Sequence, residues 1–200
     1  MKKPAANNPQ TPSPAANPCG TFKIELLHTP ARRTLVMPTD LTLVEFNEII
    51  QQLFAWRDCH LWNFRDAKGD EYGVNEDPLG FALPDPICNR DARKTLVRDI
   101  LPATGAKATY TYDFGDGWEH RITRMADPKE PDFDCRRTAG PDGIEDIGGP
   151  WGLMENLADA EVPDLDELNN RLSVWVFLRH ERQKVDKRRA AAKKRAKRSP

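Results

Sequence analysis

The chain has 200 residues, 38% of them apolar, which is enough for one hydrophobic core and for no more than two small domains. Its 30 basic and 31 acidic residues cancel overall but not locally: residues 21–178 hold 17 basic and 29 acidic residues, net −12, whereas residues 179–200 hold 11 basic and two acidic, net +9. A body this acidic excludes a folded cationic platform for nucleic acid and leaves any phosphate contact to the tail.

Residues 1–20 carry Pro4, Pro9, Pro12, Pro14 and Pro18 among Ala, Asn and Thr, too little apolar surface to offset ordering entropy, and read as a disordered leader. That leader lacks the apolar segment of a signal peptide, and no run approaches the ~20 apolar residues that span a bilayer, so a cytoplasmic chain without membrane contact is expected. The four cysteines, Cys19, Cys59, Cys88 and Cys135, are too far apart for a zinc knuckle or dithiol motif and are expected to be reduced, mostly buried thiols.

From Thr21 the pattern becomes periodic. Phe22, Ile24 and Leu26 alternate with Lys23 and Glu25 as in a half-buried strand, and a second strand, Thr34 to Met37, follows the Thr29-Pro30 turn. Thr42 stands three residues before Glu45, a capping-box spacing, and Leu43, Phe46, Ile49, Ile50, Leu53 and Phe54 recur at helical intervals, which predicts a helix from Leu43 to Ala55. In WRDCHLWNF, residues His60, Trp62 and Phe64 share one face of a strand. A hairpin or loop is expected around Glu71 to Val74, among Gly69, Gly73 and Gly80, and a surface loop from Asp85 to Lys94. A short helix follows Thr95 and stops at Pro102 and Gly105. Lys107 to Phe114 and Trp118 to Met125 form the clearest hairpin; beyond it Asp127 to Gly152 reads as an acidic, glycine-rich loop and Leu153 to Leu157 as an apolar turn. Asp164, three residues before Glu167, starts a last amphipathic helix with Leu165, Leu168, Leu172, Trp175, Val176 and Arg179. The order of elements predicts an α+β fold: a compact mixed β-sheet packed against the long helix, with an additional C-terminal helix.

Register in the hairpin decides which side chains meet. A three-residue loop of Gly115, Asp116 and Gly117 places Phe114 opposite Trp118, Tyr112 opposite His120 and Tyr110 opposite Ile122, giving one aromatic face. In that register Asp113 and Glu119 are direct neighbours, a carboxylate pair that calls for compensation by a cation or an arginine such as Arg121. A divalent ion drawing on Asp113, Asp116 and Glu119 with His60 or His120 is one reading, and solvated carboxylates beside a packed histidine are the other.

These segments resemble the plasmid pRiA4b ORF-3-like proteins of bacteria and archaea. The resemblance covers about Thr21 to Leu157 and is carried by LTLVEFNEIIQQLFAW from Leu41, WRDCHL from Trp56, YTYDFGDGWEH from Tyr110 and EDIGGPWG from Glu145. It implies a compact α+β domain, association with plasmids and insertion elements, and a resolvase-like passenger label without an established activity. Two positions depart from the family pattern: Trp62 replaces the second histidine of D-x-H-L-H, and Leu153 replaces a tyrosine after the glycine segment. A serine recombinase finds no nucleophile here, since Ser13, Ser173 and Ser199 lie in the leader, the last helix and the tail, and Tyr110 and Tyr112 read as core residues.

The expected organisation is a leader over 1–20, the α+β domain over 21–160, a helix over 161–180 and a basic tail over 181–200. Asp58, His60, Asp113, Asp116, Trp118, Glu119, His120, Glu145 and Asp146 are the candidate binding residues, expected near one end of the sheet. Lys187, Arg188, Arg189, Lys193, Lys194, Arg195, Lys197 and Arg198 are the candidate nucleic-acid contacts, acting by counterion release without sequence preference. The leading expectation is a binding or accessory domain with no cofactor, meeting a protein partner or nucleic acid through the tail. The competing one is a hydrolase or nuclease-like enzyme that uses a divalent metal held by the acidic hairpin with Glu145 or Asp146. A third is a structural subunit with a solvated acidic loop.

Overall fold

The computed structural model describes residues 19–76, 81 and 86–196, residues 195 and 196 by their backbone alone. Residues 1–18, Gly80, Asp85, Lys197 and Arg198 therefore lie outside the described residues. The alternation of Phe22, Ile24 and Leu26 becomes strand β1 (Cys19–Leu26), with all three side chains buried. Cys19 and Gly20 belong to this strand and not to the leader, because they pair with Pro38 and Met37 of β2 (Arg32–Pro38). Helix α1 (Leu43–Phe54) starts where the capping box places it: Glu45 N donates to Thr42 Oγ1 at 3.2 Å and Thr42 N donates to Glu45 Oε2 at 2.8 Å. It ends at Ala55, whose φ of 57° turns the chain out of the helix.

Strands β3 (Trp62–Arg65) and β4 (Glu71–Gly73) form a hairpin whose turn lies at residues 66–70, so the Glu71 to Val74 stretch, read as a hairpin or loop, supplies its second strand instead. His60 lies just before β3, not in it. The segment read as surface loop up to Lys94 instead contains β5 (Arg90–Asp91), parallel to β4, and it buries Cys88 and Ala92. After the short helix α2 (Val97–Ile100) come β6 (Lys107–Tyr112) and β7 (Trp118–Arg124). The stretch read as one acidic loop holds β8 (Asp134–Ala139), which pairs with β2; its sequence DCRRTA shows little alternation because Cys135 is its only fully buried residue. The apolar turn from Leu153 to Leu157 begins inside α3 (Gly149–Glu155) and runs past its end.

The strands form one eight-stranded sheet in the order β5-β4-β3-β6-β7-β1-β2-β8, antiparallel throughout except for β4 and β5. Helix α1 covers one face, where Phe46 stacks on Phe64 with ring centroids 5.4 Å apart and lies 6.0 Å from Phe22. A last helix, α4 (Leu165–Ala196), runs without a break through residue 180, so the expected helix and much of the tail are one element. Its first half buries Leu168, Leu172 and Trp175, and salt bridges from Arg179 to Glu45 and from Arg182 to Glu48 tie it to α1. No helix among the described residues is long and apolar enough to cross a membrane.

The β6–β7 hairpin has the expected faces but a different register. Tyr112 pairs with Trp118, Tyr110 with His120 and Ala108 with Ile122, so the loop has five residues, 113–117. A shift of two residues keeps Tyr110, Tyr112, Trp118, His120 and Ile122 buried on one side. The longer loop is closed by Asp113: its φ is 52°, its Oδ1 accepts from Gly115 N at 2.9 Å, and its carbonyl accepts from Gly117 N at 2.7 Å. Phe114 leaves the aromatic face and is 44% exposed. Glu119 sits opposite Thr111, so the expected Asp113–Glu119 neighbour pair does not form.

Candidate functional site

Three chain segments meet at one end of the sheet. His60 enters just before β3, Asp113 turns out of β6, and Glu145 and Asp146 come from the loop that precedes α3. His60 Nε2 lies 3.6 Å from Asp113 Oδ2, 3.6 Å from Glu145 Oε2 and 3.6 Å from Asp146 Oδ1. These separations exceed a hydrogen bond, and neither His60 Nε2 nor Glu145 Oε2 has a hydrogen-bond partner although both atoms are buried. Four of the nine expected binding residues are thus brought together.

The orientation of each carboxylate has a local cause. Asp113 uses Oδ1 to cap its own loop, which leaves Oδ2 facing His60. Glu145 uses Oε1 to accept from Arg57 N at 2.8 Å and from the Tyr112 hydroxyl at 3.0 Å, which fixes Oε2 toward the imidazole. Burial and the nearby Glu145 and Cys59 raise the Tyr112 pKa, so its phenol stays protonated and remains a donor. Asp146 has a φ of 56° and a side chain that is 78% exposed, which makes it the solvent-facing wall.

The other five expected binding residues lie elsewhere. His120 is fully buried, with Nδ1 3.2 Å from Trp118 O and Nε2 accepting from Trp56 Nε1 at 3.4 Å. Burial is the main cause that pushes its pKa down to about 3, so it is a neutral core histidine and not a ligand. Trp118 is also fully buried, 4.7 Å from Trp56 between ring centroids, and offers no surface to a partner. Asp116 is a structural link: its Oδ2 accepts from Gly148 N at 3.2 Å, and a Cβ on Gly149 would lie 2.3 Å from its carbonyl oxygen. Asp58 accepts from Asn47 Nδ2 at 3.0 Å and donates its own N–H to Gln51 Oε1, and desolvation is the main cause raising its pKa. Glu119 stays on its strand opposite Thr111. Of the acidic hairpin trio, only Asp113 reaches His60.

Two contributors were not legible as site residues. Tyr112 reads as core, and only the register shows that its ring is buried while its hydroxyl reaches Glu145. Cys59, the one exposed cysteine, has its Sγ 3.6 Å from the Tyr112 hydroxyl and shares a tight grouping with His60 and Glu145. The WRDCHL run holds both Cys59 and His60, yet adjacency alone does not reveal that Glu145 faces them.

Beside this cluster, a cleft of about 730 Å³ runs between the end of α1, residues 56–58 and α4, lined in part by Trp56, Arg57, Asp58, Leu178, Arg182 and Arg189. Beyond Arg182 the helix carries Lys187, Arg188, Arg189, Lys193 and Lys194 on exposed positions.

Comparison with known proteins agrees with the motifs. The plasmid pRiA4b ORF-3-like protein family matches residues 21–189, past the Leu157 limit of the motif resemblance and across most of α4. The uncharacterised protein y4hQ of Sinorhizobium fredii (strain NBRC 101917 / NGR234) is 36% identical in an alignment of 138 residues, and the match covers 62% of this chain and 62% of that protein. The crystal structure of MM3350, a protein of unknown function from Methanosarcina mazei Go1, superimposes with a TM-score of 0.55 at 25% identity, covering 70% of this chain and 80% of the other. With nearly all of its sheet, its glycine segment and most of its last helix inside the matched range, this chain belongs to the plasmid pRiA4b ORF-3-like protein family.

Proposed function

We propose that this chain is a mobile-element-associated accessory domain that contacts nucleic acid through the far end of α4. The carrying observation is a division of labour among the helix's cations. Arg171, Arg179 and Arg182 are paired with Asp142, Glu45 and Glu48 of the body. Among the described residues, Lys187, Arg188, Arg189, Lys193 and Lys194 form no ion pair and are exposed.

At 100° per residue those five cations point to all sides of the helix, which suits a polyanion held by charge rather than a groove read base by base. The helix rises about 1.5 Å per residue, so the stretch beyond Arg182 extends roughly 20 Å. This arm can reach phosphates while the net-negative body stays back, which reconciles an acidic domain with a polyanionic partner.

The test is fluorescence anisotropy of a labelled DNA duplex across 50–200 mM salt. Each phosphate neutralised contributes about −0.9 to the slope of log K against log salt, so five contacts give a slope of about −4.5. Replacing all five residues with Gln in the full chain should flatten that slope. Absence of binding by the unaltered chain, or an identical slope in the variant, refutes the reading.

A further inference from the structure

We infer that His60, Asp113 and Asp146, backed by Glu145, bind one small divalent transition-metal cation, with Zn²⁺ the best fit. The inference is independent of the polyanion reading, and either can fail alone.

Acidic residues gathered at a surface need no ion, so the weight rests on what is buried here. The Glu145 side chain is only 6% exposed, yet its Oε2 has no hydrogen-bond donor and points at an imidazole nitrogen that is equally unpartnered. A buried carboxylate oxygen left without a donor is costly, and so is a ring nitrogen without a partner. A cation held at His60 Nε2 partners the ring nitrogen directly and offsets the charge of the Glu145 oxygen that faces it.

Geometry narrows its identity. His60 Nε2, an Asp113 oxygen and an Asp146 oxygen all lie within 4.8 Å of one another, each offering one ligand atom. The 3.6 Å separations from Nε2 to Asp113 and to Asp146 are close to the ligand–ligand edge of a tetrahedral zinc site, about 3.3–3.4 Å for bonds of about 2.0–2.1 Å. An octahedral ion with similar bonds needs edges near 3.0 Å, a larger contraction. One imidazole among carboxylates also favours zinc or manganese over the all-oxygen sets chosen by magnesium and calcium.

The surrounding bonds have the character of support around a metal ligand. Tyr112 and the Arg57 amide hold Glu145 through its other oxygen, and the Gly115 amide holds Asp113 through its other oxygen. The second acidic grouping, Asp142 with Glu161 and Glu167, does not share this character, because Arg33 and Arg171 already neutralise Asp142 and Arg171 also pairs with Glu167.

The experiment is isothermal titration calorimetry of the full chain, first stripped with chelator, against ZnCl₂, MnCl₂ and MgCl₂, with thermal melting alongside. One equivalent of Zn²⁺ should bind, more tightly than Mn²⁺ and far more tightly than Mg²⁺, and the melting temperature should rise on loading. Asp146→Asn, at a largely exposed position that leaves folding intact, and His60→Asn should each weaken Zn²⁺ at least tenfold, with circular dichroism verifying the fold. No heat and no melting shift up to millimolar Zn²⁺ overturns the inference. So does Zn²⁺ binding that is unchanged in a folded Asp146→Asn chain.

Discussion

Acid should destabilise this protein through a histidine that never touches a ligand. His120 is fully buried between Phe54, Trp56 and Tyr110, and its pKa in the folded chain is pushed down to about 3, first by burial and also by the nearby Arg33 guanidinium. In the unfolded chain a histidine titrates near 6.5. Above that pH both states are neutral, and the histidine imposes no proton-linked cost. Below it the unfolded chain takes up a proton that the folded chain refuses, so stability falls as the pH drops from about 6.5 toward 3. The linkage amounts to about 2 kcal/mol lost between pH 7.5 and pH 5.0, with a ceiling of roughly 4–5 kcal/mol near pH 3. Full burial means that solvent screening does not reduce the figure appreciably. Urea unfolding of the unaltered chain and of His120→Gln at both pH values isolates the effect, since glutamine keeps hydrogen-bonding capacity without titrating. The variant should lose about 2 kcal/mol less than the parent over this interval. Equal losses in the two proteins would show that His120 takes up its proton in the folded state and would refute the core assignment.

Three further outcomes follow from particular contacts. Gly149→Ala places a Cβ 2.3 Å from the Asp116 carbonyl at a backbone φ of +74°, and should cost about 1–3 kcal/mol while increasing hydrogen exchange at the Gly148 amide, a change that thermal melting and exchange mass spectrometry read together. Arg33 is fully buried and donates to Asp142 and to the carbonyls of Leu53, Ala139 and Pro141, so Arg33→Met should cost about 3–5 kcal/mol in urea unfolding, and a loss under 1 kcal/mol contradicts its role. Tyr112→Phe removes the hydroxyl that donates to Glu145, which should cost about 1.5–3 kcal/mol by chemical denaturation and weaken Zn²⁺ in the same calorimetric assay.

Local chemistry was readable wherever one segment decides its own conformation. The Thr42–Glu45 capping box and the spacing of Leu43, Phe46, Ile49, Ile50 and Leu53 announce α1 to within a residue. The aromatic face of the β6–β7 hairpin was equally visible, because side chains alternate whatever the exact register. The register itself was not. It depends on Asp113 entering the left-handed region and capping Gly115, and a two-residue shift leaves the apolar pattern unchanged. Strand β8 is not legible in the sequence because an edge strand with one fully buried residue leaves little periodic trace.

The same distinction runs through the site. His60, Asp113, Glu145 and Asp146 are recognisable as groups capable of chemistry, but the separation between His60 and Glu145 along the chain can be closed only by the fold. The residues that failed to join them failed for physical reasons: His120 and Trp118 are needed in the core, while Asp116 holds the glycine segment in place. Sequence neighbours of a histidine are poor guides to its spatial neighbours, and Tyr112 is a positioning residue because its hydroxyl reaches past the aromatic layer to Glu145.

Anomalous diffraction from crystals of the full chain soaked in Zn²⁺, recorded on both sides of the zinc absorption edge, tests the convergence at the end of the sheet most directly. The account predicts one strong peak about 2 Å from His60 Nε2 and from carboxylate oxygens of Asp113 and Asp146. A His60 neighbourhood without a peak, or a peak beside Asp142, Glu161 and Glu167 instead, would contradict it.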